Sequence, residues 1–315
     1  MTIQFSVAMP AYNASAYIGE ALESVLTQTL PPAEVIVTDD GSTDDTAKIA
    51  EGFGGRVTCI RINNSGPGVA RKAAVERCTN EWIALCDSDD IWNRDHLARK
   101  ALLVACFPQA NLVFSNFYSF GQTAIPGHTG ISSKPNSWPA QHIEIQDNDF
   151  VLIKNPYRAL LGDDHCAYVS GLAYRASMYR KIGGIDSTFS RLPSEDAEFL
   201  RRFALDPDAI IAGDIKPTWG YRRHGSNSTA KGWKSDLGRA DIFDAHLHKG
   251  IIPPELILEV TAAMHNARVI GFNNAYWSQA WADACAIFPL IPKSILTPRL
   301  RMRMLKAKML SFVSR

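Results

Sequence analysis

Three carboxylates crowd into four residues of the stretch Trp82–Trp92: Asp87, Asp89 and Asp90, with Ser88 between them. Like charges a few ångströms apart repel, so in such a cluster either the pKa values rise or a cation binds. Carboxylate oxygens are hard ligands suited to Mg2+ or Mn2+, and Mg2+ is usually held by one or two carboxylates together with substrate phosphates. The run Trp-Ile-Ala-Leu-Cys before the cluster reads as a short buried strand. One reading is therefore a metal–diphosphate site at the end of a parallel strand. The other is an Asp-rich turn that caps the next helix through Asp90 or Asn93. A lone Asp-x-Asp recurs often by chance, so the elements around it must decide.

Those elements alternate. Phe5–Met9 reads as a strand ended by Pro10-Ala-Tyr12-Asn13, with Asn13 a candidate cap for a helix whose apolar face is Ile18, Ala21, Leu22, Val25 and Leu26. Glu34–Thr38 is a second strand running into Asp39-Asp40-Gly41-Ser42, and Ser42 with Asp45 has capping-box spacing for a helix over 43–53. Arg56–Ile62 is a third strand. The turn Gly66-Pro67-Gly68 then opens a helix over 69–78 that carries Arg71 and Lys72 in its first turn. This alternation predicts a parallel α/β sheet, in which ligands bind outside the carboxyl ends of the strands. Pro10–Asn13, Asp39/Asp40 and Asp87–Asp90 all fall at such ends.

Beyond the cluster, 96–107 reads as a helix, 111–119 as an aromatic strand and 121–149 as a long loop without periodicity. Residues 150–161 read as a helix, 165–173 as a strand, 176–182 as a helix ended by Gly183-Gly184, 197–204 as a helix opened by Ser194-Glu195-Asp196, and 209–212 as a short strand. Trp82 and Trp92 read as core, whereas Trp138 and Trp219 are candidates for stacking on a ligand.

The composition sets outer limits. Lys+Arg 33 against Asp+Glu 32 leaves a net charge of +1, so no global field points to nucleic acid. Six cysteines without Cys-x-x-Cys spacing indicate neither a zinc site nor a disulfide framework, and fit reduced thiols in the cytoplasm. The chain opens directly on a strand-like pattern with no signal peptide, and no apolar run has the length of a membrane span. A soluble or peripheral protein is expected.

Several segments, in this order, resemble the inverting glycosyltransferases of family 2, with a GT-A fold. They are Ser6–Asn13, Val35–Asp44, Asp87-Ser88-Asp89-Asp90, Gly183-Gly184-Ile185-Asp186, Glu195-Asp196-Ala197-Glu198-Phe199 and Tyr221-Arg222-Arg223-His224. The resemblance implies a Rossmann-like, mostly parallel sheet flanked by helices over residues 1–230, with a C-terminal helical extension over 231–315. It implies transfer of a sugar from a nucleotide-sugar donor, UDP- or dTDP-linked, to an acceptor hydroxyl with inversion, in polysaccharide or glycoconjugate synthesis.

Site residues carry over position by position. Asp89 is the expected direct ligand of Mg2+ or Mn2+, the Lewis acid for a departing diphosphate. Asp87, with Ser88, lies toward the ribose, the donor sugar or the metal's water shell. Asp40 resembles the family's base-recognising acid, though sequence does not separate it firmly from Asp39. Pro10 and Tyr12 line the donor side, and Arg71 contacts the base or a phosphate or is merely a solvated helix residue. Asp196 matches the general base that takes the acceptor's proton, and Glu195 orients a neighbour or binds the acceptor. The plain alternative for both is an acid favoured by a helix N-terminus. His224 matches a histidine that points to the diphosphate or metal, where an imidazole nitrogen is an acceptable Mn2+ ligand; the plain alternative is a surface or satisfied loop histidine.

From Pro292 to Arg315 there are seven basic residues and no acidic one, interleaved with Ile295, Leu296, Leu300, Met304, Leu305, Met309, Leu310 and Phe312. This suits a helix lying on anionic lipid, or an ordinary packed helix with a solvated basic face. Acceptors in this family include lipid-linked saccharides at the inner membrane face, which peripheral contact would fit, and the two readings stay open. Two rival functions remain. A sugar-nucleotide pyrophosphorylase needs a Gly-rich basic loop after the first strand, where this chain has Pro-Ala-Tyr-Asn. A non-catalytic nucleotide-sugar-binding protein has no need of the intact acids.

Overall fold

The apolar run Phe5–Ala11 is buried along its whole length and forms β1, on which one half of the sheet is laid. The structure, a computed structural model, describes residues 3–131, 141–161, 167–225 and 232–313. The chain divides into two units, one from Met1–Arg191 with Phe199–Gly225, the other from Leu192–Glu198 with Ser226–Arg315.

In the first unit β1 lies between β2 (Glu34–Asp39) and β4 (Trp82–Leu85), parallel to both, and β2 pairs in parallel with β3 (Thr58–Arg61). Helices α1 (Ile18–Leu26), α2 (Thr46–Glu51) and α3 (Pro67–Val75) make the crossovers, α1 burying Ile18, Ala21, Leu22 and Val25 on one face. Because β1, β2 and β4 run the same way, Ala11, Asp39 and Leu85 leave the sheet at the same edge. The chain steps from β1 to β2 and β3 on one side and to β4 on the other, so this edge holds the point where strand order reverses.

The remaining strands are β5 (Ile91–Trp92), β6 (Leu112–Phe120), β7 (Ile143–Asp147), β8 (Phe150–Ile153), β9 (Leu172–Arg175) and β10 (Ile211–Arg222). The sheet order is β3-β2-β1-β4-β9-β6-β10-β8-β7, with β5 paired to β10. Strand β9 is antiparallel to β4 and β6, and β5 and β8 are antiparallel to β10, while β6 and β10 are parallel. The sheet is therefore mixed, and the parallel order expected from the strand–helix alternation holds chiefly for β3-β2-β1-β4. Helices α4 (His96–Cys106), α5 (Pro156–Ala159), α6 (Ala176–Lys181) and α7 (Glu195–Leu205) complete the set, the last crossing from the second unit into the first.

Five local expectations change. Residues 150–161 are not one helix: Val151, Leu152 and Ile153 are buried in β8 against β10, and only a single turn follows Pro156. A short apolar run fits either state, and the pairing partner decided it. Within 121–149, Ile143–Asp147 forms an edge strand on β8. Strand β10 runs on to Arg222, its pattern hidden by register shifts on either side of Pro217. Asn13 and Ser42 do not cap helices. Asn13 Oδ1 accepts from the Thr43 N–H, and the Asn13 N–H donates to Ser42 Oγ, tying the loop after β1 to the loop after β2. Trp82 and Trp92 are core as expected, and so is Trp219, at 1% exposure, which removes it as a stacking platform. Trp138 and the start of the expected 165–173 strand lie outside the described residues, which show a one-turn 3-10 segment at 169–171 and then β9.

The second unit contains α8 (Gly232–His248), α9 (Ile257–Trp277), α10 (Trp281–Ile287) and α11 (Pro298–Val313). Phe272, Ala275, Tyr276, Ala284, Ile287, Ile291, Leu300, Met304 and Ala307 form its core. A side chain at Gly238 of α8 would collide with the Pro193 carbonyl, so α8 and the segment before α7 touch there backbone to backbone. The buried Glu198 and His246 are 3.2 Å apart across the same unit. Among the described residues no helix is long and apolar enough to cross a membrane.

Beneath the functional edge of the first unit, α4 buries Lys100. Its Nζ donates to Ser115 Oγ (3.0 Å) and to the Gly171 carbonyl (2.6 Å). Burial pushes this ammonium from 10.5 down to about 7, against the opposing pull of Asp214. Between those values the unfolded chain holds a proton that the folded chain has released, so this lysine makes stability rise with pH across that window. We expect wild type to gain on Lys100→Met from pH 7 to pH 10 in denaturant midpoints; a gap that stays constant with pH contradicts the assignment.

Candidate active site

The loop after β2 is shaped by its two acids. Asp39 is fully buried, accepts from Arg61 Nε (3.0 Å) and the Ser42 N–H (3.3 Å), and keeps Oδ1 without a partner among the described residues. Asp40 uses both oxygens on the turn before α3, accepting from the Ser65 N–H (2.7 Å) and the Gly66 N–H (2.8 Å). Gly66 has φ +94°, and a Cβ there would press on Ser190 and Arg191, so only glycine fits. Asp40 thus holds the turn, while Asp39 is enclosed beneath it with both oxygens out of solvent.

That turn starts α3, which delivers Arg71 inward. Arg71 is 5% exposed and its Nη2 donates to Asp87 Oδ1 (3.1 Å), so it is a buried partner of the acidic cluster and not a solvated helix residue. The two residues beyond β4 bring in Asp87, whose N–H donates to Ser170 Oγ (2.9 Å). The same hydroxyl donates to Asp90 Oδ2 (2.6 Å), and Asp90 Oδ1 accepts from the Arg222 N–H (2.9 Å). Asp90 is therefore a structural acid linking β4, the 169–171 turn and β10. Burial, then the charges of Asp89 and Asp87, push its carboxyl well above the usual range, favouring the neutral form.

Asp89 points elsewhere. Its Oδ2 lies 3.1 Å from His224 Nε2, and its carbonyl accepts from Arg222 Nε (2.7 Å). Burial, then the Asp87 charge, raises its pKa, with His224 pulling the other way. His224 stacks on Tyr17 at 4.6 Å between ring centroids. Arg222 lies over Tyr17 and Phe120 and pairs with Glu20 at 2.7 Å, which fixes the end of β10 against α1. Ser88 is buried between the acids, Pro10 is buried at the end of β1, and Tyr12 is half exposed beside it.

Of the residues singled out in the sequence, Arg71 contacts Asp87 and Asp89 contacts His224 directly, with Pro10, Tyr12, Asp39, Asp40 and Ser88 on the same edge. Glu195 and Asp196 stand in the first turn of α7, half-buried, in the segment assigned to the second unit. The turn before them is tight: Ser194 has φ +66° and its carbonyl accepts from the Ala197 N–H. Ser170 was not legible, because Val-Ser-Gly within an apolar run carries no signal of a polar contact eighty residues away.

The clustered donors fit a divalent cation. Asp89 carries a carboxylate whose charged form is disfavoured by burial and by its neighbour, the situation a cation relieves. Among the described residues no three His, Cys, Asp or Glu side chains are gathered to hold an ion by themselves. Two protein ligands completed by phosphate oxygens is the mode in which Mg2+ is usually bound.

The family model described as glycosyl transferase family 2 matches residues 6–183, more than half of the chain. The putative teichuronic acid biosynthesis glycosyltransferase TuaG of Bacillus subtilis is 40% identical over 99 residues, covering 30% of this chain and 39% of TuaG. The chain therefore spans well under half the length of this relative. In structure, a fragment of Staphylococcus aureus TarS superposes with a TM-score of 0.61 at 19% identity, over 97% of this chain and 89% of that one. The same fragment, solved with UDP-GlcNAc, gives 0.55 at 18% identity over the same shares of the two chains. The mannosyltransferase PcManGT of Pyrobaculum calidifontis, solved with GDP-Man and Mn2+, gives 0.60 at 17% identity, over 98% and 85%. At these identities the likeness is one of fold, the expected GT-A arrangement.

Ser170→Ala leaves the Asp87 N–H and one Asp90 oxygen without their common partner. A buried polar group left unsatisfied costs about 1–3 kcal/mol, which at about 2–4 °C per kcal/mol for a domain of this size lowers the melting temperature by several degrees. An unchanged melting temperature in calorimetry contradicts the bridging role.

Proposed function

The chain belongs to glycosyl transferase family 2, and we propose that it moves a sugar from a nucleotide-diphosphate donor to an acceptor hydroxyl with inversion, in the cytoplasm, in polysaccharide or glycoconjugate synthesis. The observation that carries this reading is the contact set Arg71–Asp87 and Asp89–His224 at the carboxyl edge of parallel strands. No comparable reading as a pyrophosphorylase is supported, since β1 ends in Pro10-Ala11 and runs on into Tyr12-Asn13 where that chemistry needs a Gly-rich basic loop.

In this proposal Asp89 and His224 would hold Mg2+ or Mn2+ together with the donor's diphosphate, and the chemistry such an ion would supply is Lewis-acid neutralisation of the leaving group's charge. Arg71, through its hydrogen bond to Asp87, orients that carboxylate toward the ribose or donor sugar. Pro10, Tyr12 and Ser88 form the donor side of the site. For the base, Asp40 is the proposed acceptor of an imino N–H, its oxygens also holding the turn before α3, whereas Asp39 is fully buried and serves the loop after β2. Uracil or thymine is the proposed base; UDP-GlcNAc in TarS supports a uridine donor, while GDP-Man in PcManGT keeps the same fold compatible with guanine.

The acceptor, a saccharide or lipid-linked saccharide, gives its hydroxyl proton to Asp196 as its oxygen bonds to C1. The C1–oxygen bond to the diphosphate breaks with its electron pair, on the opposite face. Glu195 binds the acceptor or orients Asp196. A single displacement of this kind inverts the anomeric centre.

The test is hydrolysis and transfer of common nucleotide sugars with Mn2+ and after chelation. We expect turnover that disappears with the metal, and a loss of at least about a hundredfold in Asp196→Asn, the scale of general base catalysis, with nucleotide binding retained. Turnover unchanged in that variant, or nucleotide-sugar binding without turnover under any condition, overturns the proposal.

A further inference from the structure

Helix α11 is amphipathic twice over. Leu300, Met304 and Ala307 are buried in the core of the second unit. Met302, Leu305, Met309 and Phe312 stand out from it at 65%, 64%, 71% and 85% exposure. At about 100° per residue those four fall within one stripe about 80° wide, on the side opposite the buried residues. Arg299 and Lys306 border the stripe on one flank and Arg301 and Lys308 on the other, all of them exposed. Residues 292–315 carry no acidic side chain to neutralise them.

Sequence alone does not separate a packed helix from an interfacial one, because both readings place apolar residues at helical spacing. The structure separates them by showing that packing uses one set of apolar side chains and leaves a second set in water. Core packing accounts for Leu300 and Met304; it gives no reason for Leu305, Met309 and Phe312. Two rows of long cationic side chains beside an apolar stripe allow the stems to lie along hydrocarbon while the charges reach headgroups.

We propose that the outer face of α11 docks on the surface of an anionic phospholipid bilayer, with Met302, Leu305, Met309 and Phe312 entering the acyl boundary and the flanking Arg and Lys contacting lipid phosphates. The charge pattern selects this occupant. A purely apolar protein partner has no use for four cations around the stripe, and the helix is too polar to span a membrane. The inference is independent of the transfer reading, since lipid binding is measured without turnover.

The experiment is sedimentation of the full chain with phosphatidylcholine vesicles and with vesicles of equal parts phosphatidylcholine and phosphatidylglycerol. We expect binding to the anionic vesicles alone, weakened by salt. The combined change Leu305→Ser, Met309→Ser, Phe312→Ser lowers partitioning about tenfold or more at an unchanged melting temperature, whereas Leu258→Ser, exposed on α9, does not. Replacing Arg299, Arg301, Lys306 and Lys308 by Gln lowers it by about fivefold per residue, the effect of one basic side chain at such a surface. Equal binding to both vesicle types, or binding indifferent to the three serine changes, overturns the proposal. So does a wild-type dimer in solution that those changes dissociate, which assigns the stripe to a second copy of the chain.

Discussion

Three carboxyl groups held at one strand end repel one another, and the surrounding structure is arranged to give each a different answer. Asp90 is taken out of solvent and given two donors, Ser170 and the Arg222 N–H, in a setting that favours its neutral form. Asp87 is matched by the buried Arg71. Asp89 faces His224, with its pKa still raised by burial and by Asp87. A sequence motif that looks symmetrical is thus divided into a structural acid, a paired acid and an acid that a cation suits.

The scaffold follows from that division. Arg71 reaches Asp87 because α3 begins at a turn fastened by Asp40 and made possible by Gly66. His224 reaches Asp89 because β10 is carried to Arg222 and clamped there by Glu20, Tyr17 and Phe120. Buried polar links of this kind fix geometry at some expense in stability, since each depends on every partner being present. Lys100, Ser115, Gly171 and Ser170 continue the network below the site, which ties α4 and β6 to the turn that supports Asp87 and Asp90.

The parts legible in the sequence were those with local signatures. The strand–helix alternation up to Asp90, the burial of Trp82 and Trp92, and the acids at strand ends were readable because periodicity and turn chemistry are short-range. The parts that were not depended on distant partners. Strand β8 looked like a helix until β10 supplied its pairing, and Trp219 looked available until Ser115 and Phe117 enclosed it. Asp39 and Asp40 are chemically identical in sequence, and only their donors tell them apart. Ser170 left no trace, since its importance lies wholly in contacts about eighty residues away in the chain.

The division of labour among the acids is tested most directly by Mn2+ binding in the presence of UDP, read from the free-ion signal in electron paramagnetic resonance. Asp90→Asn preserves a neutral side chain able to meet both Ser170 and the Arg222 N–H, whereas Asp89→Asn removes the proposed ligand. The account predicts that nucleotide-dependent Mn2+ binding persists in Asp90→Asn and falls by about tenfold or more in Asp89→Asn, the scale of losing one metal contact. Binding unaffected in Asp89→Asn, or lost in Asp90→Asn alone, contradicts it.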